Sequence, residues 1–223
     1  MIMTLEEFKK KIEEDEEYVP GWDAIEAAMA ELYPGQEPEH FGTDMPSRAI
    51  FGGNNYLDGF SFYRSPKGYL HLVSFGMTVL YGDEEAFGGE YNGWGYEMTM
   101  KLKADDPNEC LWAADMMLNL ARYTYTSGKW FEHMHYLAGN GDSINRGMPE
   151  SKMTSLFVIN DPELKPQQTV YGETAFLQLV GITYHDAQML MEDWTTNAPL
   201  LYERIKADNP DFVTDMASTK SYL

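Results

Sequence analysis

With 43% apolar and 14% aromatic side chains over 223 residues, the chain can bury enough surface to offset ordering entropy, which excludes global disorder. Sixteen Lys and Arg against 36 Asp and Glu give a net charge of −20, a field that repels nucleic-acid phosphates and anionic lipid and steers a basic protein inward. Cys110 is the single cysteine, so an intrachain disulfide and a cysteine-based zinc site are both excluded.

The N-terminus, MIMTLEEFKKKIEEDEE, lacks the basic start and apolar run of a leader, and no window approaches membrane-spanning length. The expectation is a cytoplasmic protein without a membrane partner. Thr4 and Glu7 form a capping-box pattern, and Leu5, Phe8 and Ile12 recur at helical spacing, which predicts an amphipathic helix over 4–17. Its EEDEE end places acid where the helix dipole disfavours it, so fraying is expected there. Twelve of the first 40 residues are acidic and three are basic, a pattern that reads first as a solvated face.

Pro20 suits a first helical position, and Trp22, Ile25, Met29 and Leu32 form a core stripe. Pro34-Gly35 ends that helix, and Pro38 extends the chain toward a strand near His40 and Phe41. Short apolar or alternating runs follow: RAIFGG from 48, then DGFSFYRS and YLHLVSFG, the last two flanking Ser65-Pro66-Lys67-Gly68. Residues 59–76 therefore read as a hairpin. The glycine-rich, aromatic stretch FGGEYNGWGY leads into YEMTMKLK, an alternating strand with Tyr96, Met98 and Met100 on one side.

Residues 107–127, opened by Pro107 and closed by Ser127-Gly128, predict a long helix, apolar on most sides and buried in the middle of the domain. The irregular segment 128–150 is long enough to suggest a functional loop. Strands return at TSLFVIN and TAFLQLVGIT, Thr183 caps a last helical region through Arg204, and Pro199 is expected to open a second helix there. No low-complexity stretch or fixed repeat interrupts the chain. The economical reading is one α+β domain, a mixed and largely antiparallel sheet covered by helices.

The chemistry-bearing residues give little support to catalysis. His133 and His135 are two apart, so on a strand they would share a face and with Glu132 invite a metal, but a third ligand has no place. Glu37, Glu39 and His40 read as a wet turn, His71 as a packed or surface histidine, and Cys110 as a small buried hydrophobe. The sequence contains no nucleophile elbow, phosphate loop or dinucleotide fingerprint. Phe87, Tyr91, Trp94 and Tyr96 offer either a stacking platform or aromatics packed around glycine turns. Asp83, Glu84 and Glu85 beside them would form an acidic rim.

Taken together, Leu32-Tyr33-Pro34-Gly35-Gln36, IFGGNNYLDGFSFYR, HLVSFGMTVLYGDEE, GWGYEMTMKLK, LARYTYTSG, DPELKPQQTVYGETAFLQLVGIT and VTDM resemble the suppressor of fused family, in order from about residue 20 to 216. The resemblance implies a mixed α/β fold that binds protein and has no catalytic residues or cofactor. Animal members restrain a zinc-finger transcription factor of the Hedgehog pathway by clasping a peptide between this domain and a second one. The chain stops soon after VTDM, as do bacterial members, which are thought to be immunity proteins against polymorphic toxins.

On this reading residues 1–19 are an acidic helix appended to a domain over 20–223. Tyr123 matches a tyrosine near the animal peptide groove, whereas the acidic groove residue falls at His135, so the peptide specificity is not expected to transfer. The expected function is a non-enzymatic immunity protein that covers a basic toxin domain through acidic complementarity. Contacts are expected from loops 82–95 and 128–150, and the expected contact residues are Asp83, Glu84, Glu85, Tyr91, Trp94, His135 and Asp142, with Tyr123 ahead of the second loop. The alternatives are a regulator that sequesters a transcription factor, or a metal- or carbohydrate-binding enzyme using His133 and His135. The sequence leaves the oligomeric state open.

Overall fold

The computed structural model describes residues 3–43 and 56–223. Two helices come first, α1 (Leu5–Glu14) and α2 (Pro20–Leu32), followed by strand β1 (Glu39–Gly42). Thr4 and Glu7 make the expected capping box, and α1 stops at Glu14, so the acidic run beyond it is not helical. The apolar run RAIFGG at 48–53 lies outside the described residues.

β2 (Gly59–Ser65) and β3 (Tyr69–Phe75) form the expected hairpin. Gly68 closes its turn at φ 86°, a conformation glycine adopts without steric cost. β4 (Tyr91–Leu102) pairs antiparallel with β3 and parallel with β8 (Gly172–Thr183), and β8 pairs antiparallel with β6 (Met153–Asn160). The sheet runs β1-β2-β3-β4-β8-β6-β5, where β5 (Tyr136–Leu137) is a terminal strand and β7 (Gln167–Thr169) pairs with β8 off that path. A single parallel pair in an otherwise antiparallel sheet fits the mixed α+β expectation.

Side-chain alternation builds three layers. On one face Phe60, Phe62, Leu70, Leu72, Met98, Met100 and Leu179 pack against helix α3 (Leu111–Ser127). On the other face α2 covers Tyr63, Val73 and Phe75, while α4 (Tyr184–Glu192) and α5 (Trp194–Asp208) cover Phe157, Ile159, Val180 and Ile182. The sheet is therefore buried on both sides.

Two helical expectations need correction. α3 is an outer layer and not a central helix: Ala113, Ala114, Met117, Ala121 and Thr124 face the sheet, while Leu111, Asp115, Asn119 and Tyr123 are exposed. Its many Met, Leu and aromatic residues broaden the apolar stripe without surrounding the helix. Pro199 lies inside α5 and does not open it; Asp193 caps that helix by accepting from the Thr196 N–H at 3.1 Å.

The seam between α2 and α4/α5 is filled by charge. His71, Lys101 and Asp161 are wholly or almost wholly buried. Asp161 accepts from Thr99 Oγ1 at 2.8 Å and Lys101 Nζ at 3.0 Å, and pairs with His71 Nε2 at 3.0 Å. Tyr33 Oη meets the other His71 ring nitrogen at 2.9 Å, and Glu163 adds a second carboxylate 2.8 Å from Lys101 Nζ. Every charge here has a partner, the condition under which such burial is tolerated.

Candidate protein-binding surface

The end of α3 and the segment after it expose two aromatic side chains, Tyr123 and Trp130. Gly128 ends α3 in a left-handed cap, and the chain then returns toward the sheet edge. Tyr123, 44% exposed, stacks on Phe131 with ring centroids 6.0 Å apart. Phe131 is buried, and its N–H donates to Tyr96 Oη at 3.3 Å, which ties this surface to the core.

Trp130 is 54% exposed and donates from Nε1 to Glu132 at 3.1 Å. The Glu132 N–H donates to His135 Nδ1, also at 3.1 Å, and the His135 ring lies 6.5 Å from Trp194. Trp194 Nε1 in turn donates to the Met134 carbonyl at 2.8 Å, bracing a turn in which Met134 holds φ 72°. Backbone in that region is costly for a non-glycine residue and persists only when its surroundings impose it.

β5 follows directly, and it pairs with β6 alone among the described residues. Tyr123 and Trp130 on the α3 side, and His135 with Trp194 on the α5 side, thus form a discontinuous aromatic ledge around a strand that is paired on one side among the described residues. Large aromatics with a polar tip beside an open edge suit recognition of protein, because rings bury much area at little entropic cost and the edge can accept another strand.

The sequence-expected residues do not form one patch. Asp83 and Trp94 share a groove with Met77, Tyr81 and Tyr125, and Trp94 meets Tyr125 edge-on at 5.6 Å. Glu84 is paired with Lys9 of α1 at 2.8 Å, and the Glu85 N–H closes a turn onto Asp83. Tyr91 is 58% exposed at the start of β4. His135 shares a separate hollow with Tyr136 and Trp194. Asp142, bonded to Asn140, lines a third with Arg146.

The proposed platform of Phe87, Tyr91, Trp94 and Tyr96 is likewise split. Tyr96 is in the core, Phe87 packs on Phe8 at 5.0 Å, and only Tyr91 is well exposed. Trp130 and Trp194 were missed by the sequence reading. Trp194 opens a helix whose apolar stripe does not include it, so periodicity gave no reason to single it out.

The other candidates resolve into local structure. His133 and His135 occupy a turn, not a strand: His133 Nδ1 accepts from Asn160 N–H and its ring packs edge-on against Tyr202, away from the His135–Trp194 pair. Burial lowers the His133 pKa. His40 packs against Trp22 and Phe75 and bonds Ser61, while Glu39 pairs with Arg64 at 2.6 Å. Cys110 is buried, and burial with the nearby Glu109 and Asp106 charges pushes its thiol up to about 11. A thiol that rarely ionises is a poor nucleophile.

Comparison with known proteins gives this geometry its family. The model of the suppressor of fused protein family matches residues 53–217. The human suppressor of fused homolog is 31% identical over 215 residues, covering 88% of this chain and 43% of that protein. Among solved structures, Drosophila suppressor of fused superposes with a TM-score of 0.76 at 25% identity, over 92% of this chain and 51% of that one. The chain of a Sufu–Fu complex superposes with a TM-score of 0.77 at 24% identity, over 91% and 92%.

The fold class is thus that of a three-layer α+β domain. The chain belongs to the suppressor of fused family, and it spans less than half the length of its human relative.

Proposed function

We propose that the chain is a non-enzymatic protein-binding module that neutralises a partner by covering it, most concretely as an immunity protein against a basic toxin domain. The observation that carries the binding role is the aromatic ledge of Tyr123, Trp130, His135 and Trp194 beside the open edge of β5. Family membership supports it, as does the relative solved as a Sufu–Fu complex. The choice of a basic partner rests on the net charge of −20, which accelerates encounter with a positive surface.

Affinity-tagged protein, with Tyr123→Ala/Trp194→Ala and Asp83→Lys/Glu84→Lys/Glu85→Lys variants, tests both parts against extract of the source cell. A specific basic partner should be retained by the parent chain and lost from the aromatic variant. Its association rate should fall with added salt, and fall further in the charge-reversed variant. Equal recovery on all three proteins would remove the ledge and the acidic loop from the interface. A partner that is an acidic or neutral transcription factor would instead favour the regulatory reading, to which the human relative lends its likeness.

A further inference from the structure

The described residues include Arg64, Arg122, Arg146 and Arg204. Arg64 pairs with Glu39, and Arg204 donates to the Tyr222 carbonyl. The other two meet no carboxylate or carbonyl of a described residue: Arg122 donates to Asn119 Oδ1, and Arg146 has no partner among them. In a chain with 36 acidic side chains, unpaired guanidinium groups are unexpected. Both line the same cavity of about 710 Å³ on the outer side of α3, a volume within the range of ligand sites.

The cavity is donor-rich. Asn145 lines it and is 8% exposed; its Oδ1 accepts from the Gly147 N–H at 2.8 Å, and no described residue accepts from its amide nitrogen. The Asn145 Nδ2 reaches solvent in the cavity, and a free donor beside two guanidinium groups suits an anionic acceptor. The remaining wall is apolar, with Trp112, Met116 and Leu120 spread over more than two turns of α3 and Ile144 opposite. That is a longer surface than a bare inorganic anion can cover.

Asp115 also lines the cavity. Two arginines and one aspartate leave the wall at +1 while the chain carries −20. A dianion would be opposed by Asp115 and by the whole field, whereas one carboxylate fits the planar fork of arginine.

We propose that this cavity receives a peptide segment of a partner protein, with one Asp or Glu carboxylate on Arg122, Arg146 and Asn145 and a neighbouring apolar residue against Trp112 and Ile144. The site is independent of the aromatic ledge, and it selects the opposite charge from the acidic loop.

Nuclear magnetic resonance titration of the full chain tests it, followed at the Trp112 indole and Asn145 amide signals. The probes are acetyl-Leu-Ala-Glu-amide, its Gln and phosphoserine counterparts, and sodium acetate. The Glu peptide should bind roughly tenfold or more tightly than the Gln peptide, the scale of about 1.4 kcal/mol. Arg146→Gln should remove most of that preference and Arg122→Gln/Arg146→Gln all of it, with the Trp194 signals unmoved. Both arginines are exposed, so dispersed amide spectra are expected to persist; Arg146→Lys should keep part of the preference. Equal binding of Glu and Gln peptides, or an unchanged preference in the double variant, would overturn the site. Acetate as tight as the Glu peptide would overturn the peptide as occupant, and a tighter phosphoserine peptide would overturn the single carboxylate.

Discussion

Lys101 Nζ lies 3.0 Å from Asp161 Oδ1, with both side chains entirely excluded from solvent. Removing one member of such a pair leaves the other charge buried and uncompensated, which costs roughly 3–5 kcal/mol. Lys101→Met should therefore lower the unfolding free energy measured by urea titration by an amount of that order, while leaving surface binding intact in whatever protein remains folded. Asp161 is also held by His71 and Thr99, so Asp161→Asn should be at least as harmful. A Lys101→Met loss below about 1 kcal/mol would mean that Glu163 and His71 relax around the gap.

The same cluster sets an acid limit. Burial alone would raise both carboxyls, but the His71 charge and hydrogen bond, with Lys101, hold Asp161 well below the usual carboxylate range, and Lys101, Lys67 and Tyr69 hold Glu163 at about 2. A depressed folded-state pKa gives stability that is present above the unfolded values, 3.8 and 4.5, and is lost as pH falls through the folded ones.

Glu97 runs the other way. It is fully buried without a cation, and burial pushes it up to about 7 even though Ser74, Gly76, Met77 and Thr78 all donate to it. Its folded-state pKa lies above the unfolded 4.5, so the native chain holds this proton more tightly. The contribution is complete below about pH 4.5 and is lost as pH rises through 7, an effect of roughly 3 kcal/mol at most. Glu97→Gln should flatten the decline in urea stability between those pH values, whatever it does to the overall level. An unchanged slope would assign the decline to other groups.

β4 shows how far the sequence could be read. Its alternation was plain, and Tyr96, Met98 and Met100 do share the α3 face of the core. The opposite residues, Glu97, Thr99 and Lys101, look like a solvent face in one dimension, yet all three are fully buried. Their partners Ser74 and Asp161 come from 23 and 62 residues away from Glu97 and Thr99 along the chain, and no local pattern announces such pairing. The surface was harder still. Tyr123 and His135 were reachable through family resemblance, whereas Trp194 joins them only because α5 packs beside the β5 turn, a tertiary fact.

Gly139 tests how that turn is seated. A Cβ built there would lie 1.9 Å from the Thr154 carbonyl oxygen of β6, an impossible approach to backbone, while its own N–H donates to Ser155 Oγ at 3.0 Å. Gly139→Ala must push the chain off β6, at about 1–3 kcal/mol or more, and should speed hydrogen exchange at Tyr136 and Leu137. Gly141→Ala is the control: its Cβ would meet only Tyr184 at 3.9 Å, but it must hold φ 97°. That strain is on the order of 1 kcal/mol, without loss of the β5 pairing. If both variants open β5 equally, the close approach at Gly139 is not what seats it.

Asp186 fixes the last described residues onto the helices. Its Oδ1 accepts from Ser221 Oγ at 2.8 Å and from the N–H groups of Tyr222 at 2.8 Å and Leu223 at 2.9 Å, while Oδ2 completes the Thr183 capping box of α4. One buried carboxylate thus holds a helix start and a chain segment at once. Asp186→Ala removes both sets, and hydrogen bonds to a charged group contribute about 1.5–3 kcal/mol each. Exchange of the Tyr222 and Leu223 amides should accelerate by at least about tenfold, the equivalent of 1.4 kcal/mol. Thr183→Ala weakens the cap and removes the 3.1 Å contact of Thr183 Oγ1 with Ser221 Oγ, while Asp186 Oδ1 keeps its three donors. In that variant the α4 amides should exchange faster and the Tyr222 and Leu223 amides should stay protected; loss of protection at both places would mean that the segment is held through Thr183 and α4 and not by Asp186 directly.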